Sequence, residues 1–437
     1  MMKITIGSAR RLVALAAVLS ATSAHALEPL QTFLDGARAA STDNRKALAI
    51  ERQRGEEAQQ SLGSLLPSLS ASATAVRYER EVKLTVNGNE LNIQPRNEAY
   101  GTASVSVPLV DLAGWARYSA ARSTAKAAQE STRATRLTTE GRVAYAYFQL
   151  VGASSLARAR VRSLATSEQN LDLTLSRRGA GTATALDVAR AEAEVESVRQ
   201  KLADANLAAA LARRTLLTLT GIEAGGEDGE LSDDLHVEPP LSWWEERGRA
   251  APSIAVAAAQ RASADAEARA ARLEFVPALT ADASQYLASF GGLTGQSAYY
   301  ALNVKLKWSL GFDTFAHKRA RSAAAQAARI GEEAAEATVR DDLHEQWQNV
   351  DTGLVKSRSS RAQAASATIA AEVARVRYAA GASTQLELVQ AERDLVDADA
   401  ARVQADANLA YSRVALRLAA GLDATARADA SAPPANP

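Results

Sequence analysis

The chain has 437 residues, no cysteine and equal numbers of basic and acidic side chains, fifty of each. With no net charge and no basic face, nucleic acid is not an expected partner. Aromatics make up 5 % of a chain that is 47 % hydrophobic and rich in alanine, which suits long, closely packed helices better than a globular core of large side chains.

The N-terminus reads as a secretory signal over 1–26. Lys3, Arg10 and Arg11 form a basic segment, Leu12 to Leu19 is a short apolar run, and Ala24-His25-Ala26 is a small-x-small cleavage site. That run is too short to span a membrane, and no later run approaches the roughly 20 apolar residues a transmembrane helix needs. With no cysteine after the cleavage site, the mature chain is expected to carry no N-terminal lipid. Any membrane span must then be made of strands.

Leu30 to about Leu62 has a helical pattern, ended by Pro67. The period then changes to two, with Leu69, Ala71, Ala73 and Ala75 set against Ser70, Ser72 and Thr74. A polar interval carries an Asn87-Gly88 turn signal, and its flanks from Val82 to Ile93 also alternate, which predicts a hairpin extension. Alternation resumes with Ala103, Val105, Val107 and Leu109 against Thr102, Ser104 and Ser106. From about Leu112 to Arg178 the helical pattern is continuous, about 100 Å at 1.5 Å per residue. It stops at Gly181, a residue that tolerates a left-handed cap, and Thr184 can cap the next helix, with Asp187 in its first turn where the dipole favours an acid. That helix runs to Gly221.

After an acidic, Gly- and Pro-rich connector containing Trp243-Trp244, the order repeats. A helix from about Ser253 to Glu274 ends at Pro277. A strand follows with Leu279, Ala281 and Ala283 against Thr280, Asp282 and Ser284. A loop with Phe290-Gly291-Gly292 leads to Leu302, Val304, Leu306, Trp308 and Leu310 against Asn303, Lys305, Lys307 and Ser309. A second unbroken helix spans about Thr314 to Tyr378. Its tip matches the first at a constant offset: Gly181 with Gly381, Thr184 with Thr384, Leu186 with Leu386, Asp187 with Glu387, Glu192 with Glu392 and Gly221 with Gly421. Two copies of one unit at fixed spacing define a duplicated architecture. The expected divisions are a signal over 1–26, a first repeat over 27–221 with strands about 67–78 and 100–110, a connector over 222–250, a second repeat over 251–424 with strands about 277–287 and 299–311, and a disordered tail over 425–437.

Nine of the 21 aromatics (Tyr78, Tyr100, Phe275, Tyr286, Phe290, Tyr299, Tyr300, Trp308 and Phe312) fall in the strand regions, a concentration expected of aromatic girdles on membrane barrels. A soluble sheet with one wet face gives the same alternation, so a periplasmic coiled-coil scaffold or adaptor stays open as the alternative. Four strands cannot close a barrel, because the smallest need about eight, and open edges cannot sit in lipid. In a membrane these strands require several chains around one axis.

The duplicated helix–strand–strand–helix–helix order and the twin Tyr/Arg-x-x-Gly-x-x-Thr-x-x-Asp/Glu-Val/Leu-x-x-Ala tips resemble the TolC-like outer-membrane efflux family over about Leu30 to Leu422. The resemblance implies a mainly α fold with a β membrane section: a homotrimer with a 12-stranded outer-membrane barrel, a long periplasmic α-helical barrel and an equatorial belt of shorter helices. It also implies a passive exit duct in outer-membrane lipid, serving drug or metal efflux or type I secretion, with a periplasmic adaptor (membrane fusion) protein and an inner-membrane pump of RND or ABC type. Arg177, Arg178, Gly181, Tyr378 and Gly381 fall on the family's adaptor-docking tips. Asp187, Arg190, Glu387 and Gln390 fall at its periplasmic entrance, Gln390 standing where some members carry a second acid, and Arg178 stands where Tyr is usual. Lys305 and Lys307 lie on the predicted lumen face. No catalytic constellation, cofactor motif or metal-ligand spacing is present: the four histidines are scattered, and both methionines lie in the signal. An enzyme is not expected.

Overall fold

The structure, a computed structural model, describes residues 27–86, 89–225, 233–291 and 296–426. The signal segment, the Asn87-Gly88 turn, Gly292 and the tail from 427 lie outside the described residues. The N-terminal helical segment is two helices, α1 (Leu30–Ala40) and α2 (Thr42–Gly63), where the sequence pattern suggested one. Ser41 divides them. Its backbone is extended, with ψ 125°, and its hydroxyl accepts from Asn44 N, so a good N-cap residue starts a new helix inside a continuous pattern.

Strands β1 (Ser68–Arg77), β2 (Val82–Val86), β3 (Asn89–Gln94) and β4 (Asn97–Val110) follow, then α3 (Leu112–Gly179) and α4 (Ala185–Thr220). The second half comprises α5 (Leu241–Gly248), α6 (Pro252–Leu273), β5 (Ala278–Ala288), β6 (Ala298–Lys307), α7 (Phe312–Ala379) and α8 (Gln385–Ala419). Helices α3 and α7 have 68 residues each, on the order of 100 Å. Beside the strands the packing order is α2, α3, α6, α7; toward the tips it is α4, α3, α8, α7. Helix α3 touches both halves along its length. Among the described residues no helix is long and apolar enough to cross a membrane.

The four long strands form one antiparallel sheet in the order β1-β4-β5-β6, and β2 pairs with β3 as a separate hairpin. Directly opposed residues share a face, so the register sorts the sheet into two surfaces. One carries Ser68, Ser70, Ser72, Ser104, Ser106, Asp282, Ser284 and Asn303. The other carries Leu69, Ala71, Ala73, Val105, Ala281, Ala283, Leu302, Val304 and Leu306. That apolar surface is bare: Leu69 is 79 % exposed and Leu302 75 %. Strands β1 and β6 each have one unpaired edge. Strand β6 stops at Lys307, short of the alternation read through Leu310, because the Trp308 indole turns to donate to Phe275 O at 3.2 Å.

Two apolar clusters sit on the helices midway along. Phe33, Leu34 and Ala37 of α1 pack on Val143, Leu150 and Leu216 of α3 and α4. Trp244 of α5 packs with Leu343, Val350, Leu354, Leu409 and Leu416 of α7 and α8. Arg413 of α8, 4 % exposed, ties the connector down by donating to Asp233, Glu238 and the His236 carbonyl. These contacts make the belt part of the helical wall.

Trp244 is fully buried and edge-on to Trp243, with ring centroids 4.8 Å apart. Replacing it with Ala is expected to cost about 3–5 kcal/mol, measured by urea unfolding followed by circular dichroism. Trp244→Phe should cost much less, because the indole N–H has no hydrogen-bond partner among the described residues.

Candidate functional site: the paired helical tips

Each tip is built from a helix end, a glycine and a helix start. In the first, Thr182 N donates to Arg177 O and Gly181 N to Arg178 O. In the second, Ala382 N donates to Arg377 O and Gly381 N to Tyr378 O. Both are Schellman closures, which satisfy the last helical carbonyls and require a left-handed residue. Gly181 and Gly381 have φ of +76° and +74°. A Cβ at either position would meet open space, so backbone conformation and not crowding selects glycine there.

The helices leaving the turns start differently. In the first repeat Thr184 and Asp187 form a full capping box: the Thr184 backbone N–H donates to Asp187 Oδ2 at 2.9 Å, and Asp187 N donates to Thr184 Oγ1 at 3.2 Å. The Thr184 hydroxyl also donates to that carboxylate, and these hydrogen bonds hold Asp187 below the usual aspartate range. Asp187 is therefore occupied by its own helix start. In the second repeat Glu387 N donates to Thr384 Oγ1, while the Glu387 side chain is exposed. Arg190 and Gln390 are exposed one turn on, and Gln390 donates to Asp394 at 2.9 Å.

The two tips are joined to each other. The Arg177 guanidinium lies 4.2 Å from the Tyr378 ring centroid and donates to the carbonyls of Tyr378 and Ala379 at 2.5 and 3.0 Å. A cation placed at the last carbonyls of a helix is favoured by the dipole, and stacking over the ring adds to it. Tyr378 is 4 % exposed, its ring covered at this junction. Arg178 is exposed.

Sequence reading missed the polar contacts behind the tips. Glu392 of α8, 7 % exposed, accepts from Asn170 of α3 and Arg375 of α7, and Arg393 of α8 donates to Glu194 of α4 at 2.6 Å. Burial pushes the Glu392 carboxyl up, with Asn170 and Arg375 pulling against it. Its repeat mate Glu192 is exposed, so the alignment of the two copies gave no sign of this role. The available signal was a carboxylate on the buried stripe of an otherwise Ala-rich helix.

At the far end of the molecule Lys305 and Lys307 share the polar face of β6 with Asn303, and Lys305 Nζ lies 3.0 Å from Asp282 Oδ2. One chain thus supplies a four-stranded sheet, polar on one side and apolar on the other, continued by helices several times longer. That arrangement defines a protomer of a membrane channel.

The family described as outer membrane efflux protein matches residues 34–222 and 248–422, and the chain belongs to that family. Its fold is similar to that of a membrane protein from Pseudomonas aeruginosa, with TM-score 0.79, 21 % identity, and 91 % of this chain and 92 % of that one covered. The Campylobacter jejuni CmeC outer membrane channel gives TM-score 0.79 at 18 % identity, with 97 % and 95 % covered. The outer membrane protein VceC from Vibrio cholerae gives 0.77 at 19 %, with 90 % and 96 % covered. No curated protein matches the sequence. The chain is an outer-membrane efflux channel protein, mainly α with a β membrane section.

Asp187→Asn should destabilise the first tip by about 0.5 kcal/mol at neutral pH, read as faster amide exchange over 184–190. Because the folded carboxyl titrates below its unfolded value, this contribution is complete above the ordinary aspartate range and is lost only as pH falls through the depressed folded value. The variant and the parent should therefore converge only in strong acid.

Proposed function

We propose that three copies assemble around one axis into the outer-membrane exit duct of a tripartite export system, for multidrug efflux or type I secretion. The observation that carries this reading is the sheet: four strands with one bare apolar face and two unpaired edges. Three such sheets give twelve strands, enough to close a barrel that leaves an internal channel. Residues 1–26 act as the export signal, and the mature chain is unlipidated.

Arg177, Arg178, Gly181 and Gly381 present the periplasmic rim to an adaptor, with Tyr378 acting from beneath through Arg177. An inner-membrane pump of RND or ABC type supplies the driving force, since the chain is a passive conduit and not an enzyme. Arg190, Glu387 and Gln390 line the periplasmic entrance, and Asp187 belongs to it through the helix start it holds in place. Lys305 and Lys307 line the lumen near the periplasmic end of the barrel. The junction Arg177–Tyr378 and the contacts of Glu392 and Glu194 fasten the second hairpin to the first, so opening the entrance means separating them.

Gly381→Val forces a β-branched side chain into a left-handed position, at a local strain of about 1–2 kcal/mol. The expected result in cells is loss of dye export with normal amounts of assembled protein on unheated gels. Loss of assembly as well would give the glycine a folding role only and remove support for docking at this tip. Arg177→Ala should instead loosen the two tips and raise the conductance of the purified channel in planar bilayers.

A further inference from the structure

A crevice of about 1020 Å³ lies at belt height, where α3, α4, α7 and α8 converge at the start of α6. That volume matches the upper end of sites that enclose a drug-sized molecule. Helix α3 buries Val143 and Leu150 against α1 and turns Arg142 and Tyr145 the other way, into the crevice. Helix α8 buries Leu409 and Leu416 in the Trp244 cluster and turns Tyr411 into it. The crevice lies between the two belt clusters, which contribute Ala146, Ala251 and Val339 to its lining.

Its lining is unusual for a water-filled duct. Tyr145 and Tyr411 meet edge to face, with centroids 5.1 Å apart. Tyr145 is 51 % exposed and Leu211, across the crevice on α4, is 59 % exposed. Two charged residues line it, Arg142 and Asp342. Arg142 is neutralised by Asp43 of α2 at 2.5 Å. Among the described residues Asp342 has no ion-pair or hydrogen-bond partner, and it is exposed. A mainly aromatic and aliphatic surface, interrupted by Thr138, Gln149, Thr215, Ser253 and Gln346 and carrying one unpaired carboxylate, matches a compound with a flat apolar body, polar substituents and a cationic group.

We propose that this crevice is a resting site for amphipathic organic cations in the helical wall of the duct, with Asp342 as the charge partner and Tyr145 and Tyr411 as the stacking surface. The inference rests on the duct reading above and adds to it a cargo class. A wall site of modest affinity keeps such compounds from partitioning back through the entrance, while Asp342, lying in water, lets them leave again.

The test is binding of ethidium to the purified, detergent-solubilised full assembly, followed by fluorescence anisotropy, with anionic fluorescein as the comparison dye. Ethidium should bind saturably and fluorescein should not. Asp342→Asn should weaken ethidium by about tenfold or more, Tyr411→Leu should weaken it as well, and Asp341→Asn, one residue off the crevice, should leave it unchanged. Equal binding by the parent and Asp342→Asn, equal binding of the two dyes, or the same loss in Asp341→Asn would overturn the proposal. Conductance of the same preparations in planar bilayers reports the duct independently. Conductance without Asp342-dependent binding overturns the wall site alone, whereas absence of conductance in the parent and in Arg177→Ala alike overturns the duct and the site's role in it together.

Discussion

The constraint on which the rest of the molecule depends is the pair of unpaired strand edges on β1 and β6. In lipid each free backbone N–H or C=O costs several kcal/mol, and no water is present to relieve it. The apolar face that would meet lipid is already complete within one chain, through Leu69, Val105, Ala281 and Val304. The hydrogen-bond ladder is not. Strands β1 and β6 have ten residues each, about 33 Å in length, and tilted as barrel strands they span roughly the 25 Å apolar band of an outer membrane. Membrane insertion and assembly are thereby one event, because the edges are satisfied only by another copy.

The helical section solves a different problem. A wall on the order of 100 Å long cannot rest on a single core, and its helices must pack closely along their whole length. Small residues do most of this: Ala127, Ala144, Ala146, Ala205, Ala364, Ala371 and Ala398 are buried along α3, α4, α7 and α8. Such a seam is short of apolar area and weak in specifying register. Buried polar contacts supply the register at intervals: Arg177 on Tyr378 at the tip, Glu392 between Asn170 and Arg375 above it, and Arg413 among Asp233, Glu238 and His236 at the belt. Removing one partner from a buried pair leaves an uncompensated charge, so these points resist sliding more than they add stability. The clamps nearest the tip join different hairpins.

Much of this was legible in the sequence, because it depends on local periodicity. The long helices, the period-two segments, the left-handed glycines and the Thr caps all follow from residue type and spacing, and the duplication is visible at Gly181 and Gly381. What was not legible depends on contacts distant along the chain or on local competition. Ser41 interrupts an intact helical pattern through a cap, which hydrophobic spacing does not report. Asp187 and Glu387 align and either type can close a capping box, yet only Asp187 does so. Glu192 and Glu392 also align, yet one is exposed and the other buried, since the two copies of the repeat meet different neighbours. The Arg177–Tyr378 junction was not legible either, since no spacing rule places an arginine of one hairpin on the carbonyls of another. The crevice beneath Tyr145 and Tyr411 combines four helices and could not be anticipated from any one of them.

The number of copies in the purified particle tests the central claim most directly. The full mature chain, extracted from membranes in mild detergent and weighed intact by native mass spectrometry, should give particles of three copies that dissociate only when the strands are unfolded. A single copy that stays dissolved after detergent is withdrawn would contradict it, because such a chain would be hiding or pairing its strand edges without neighbours.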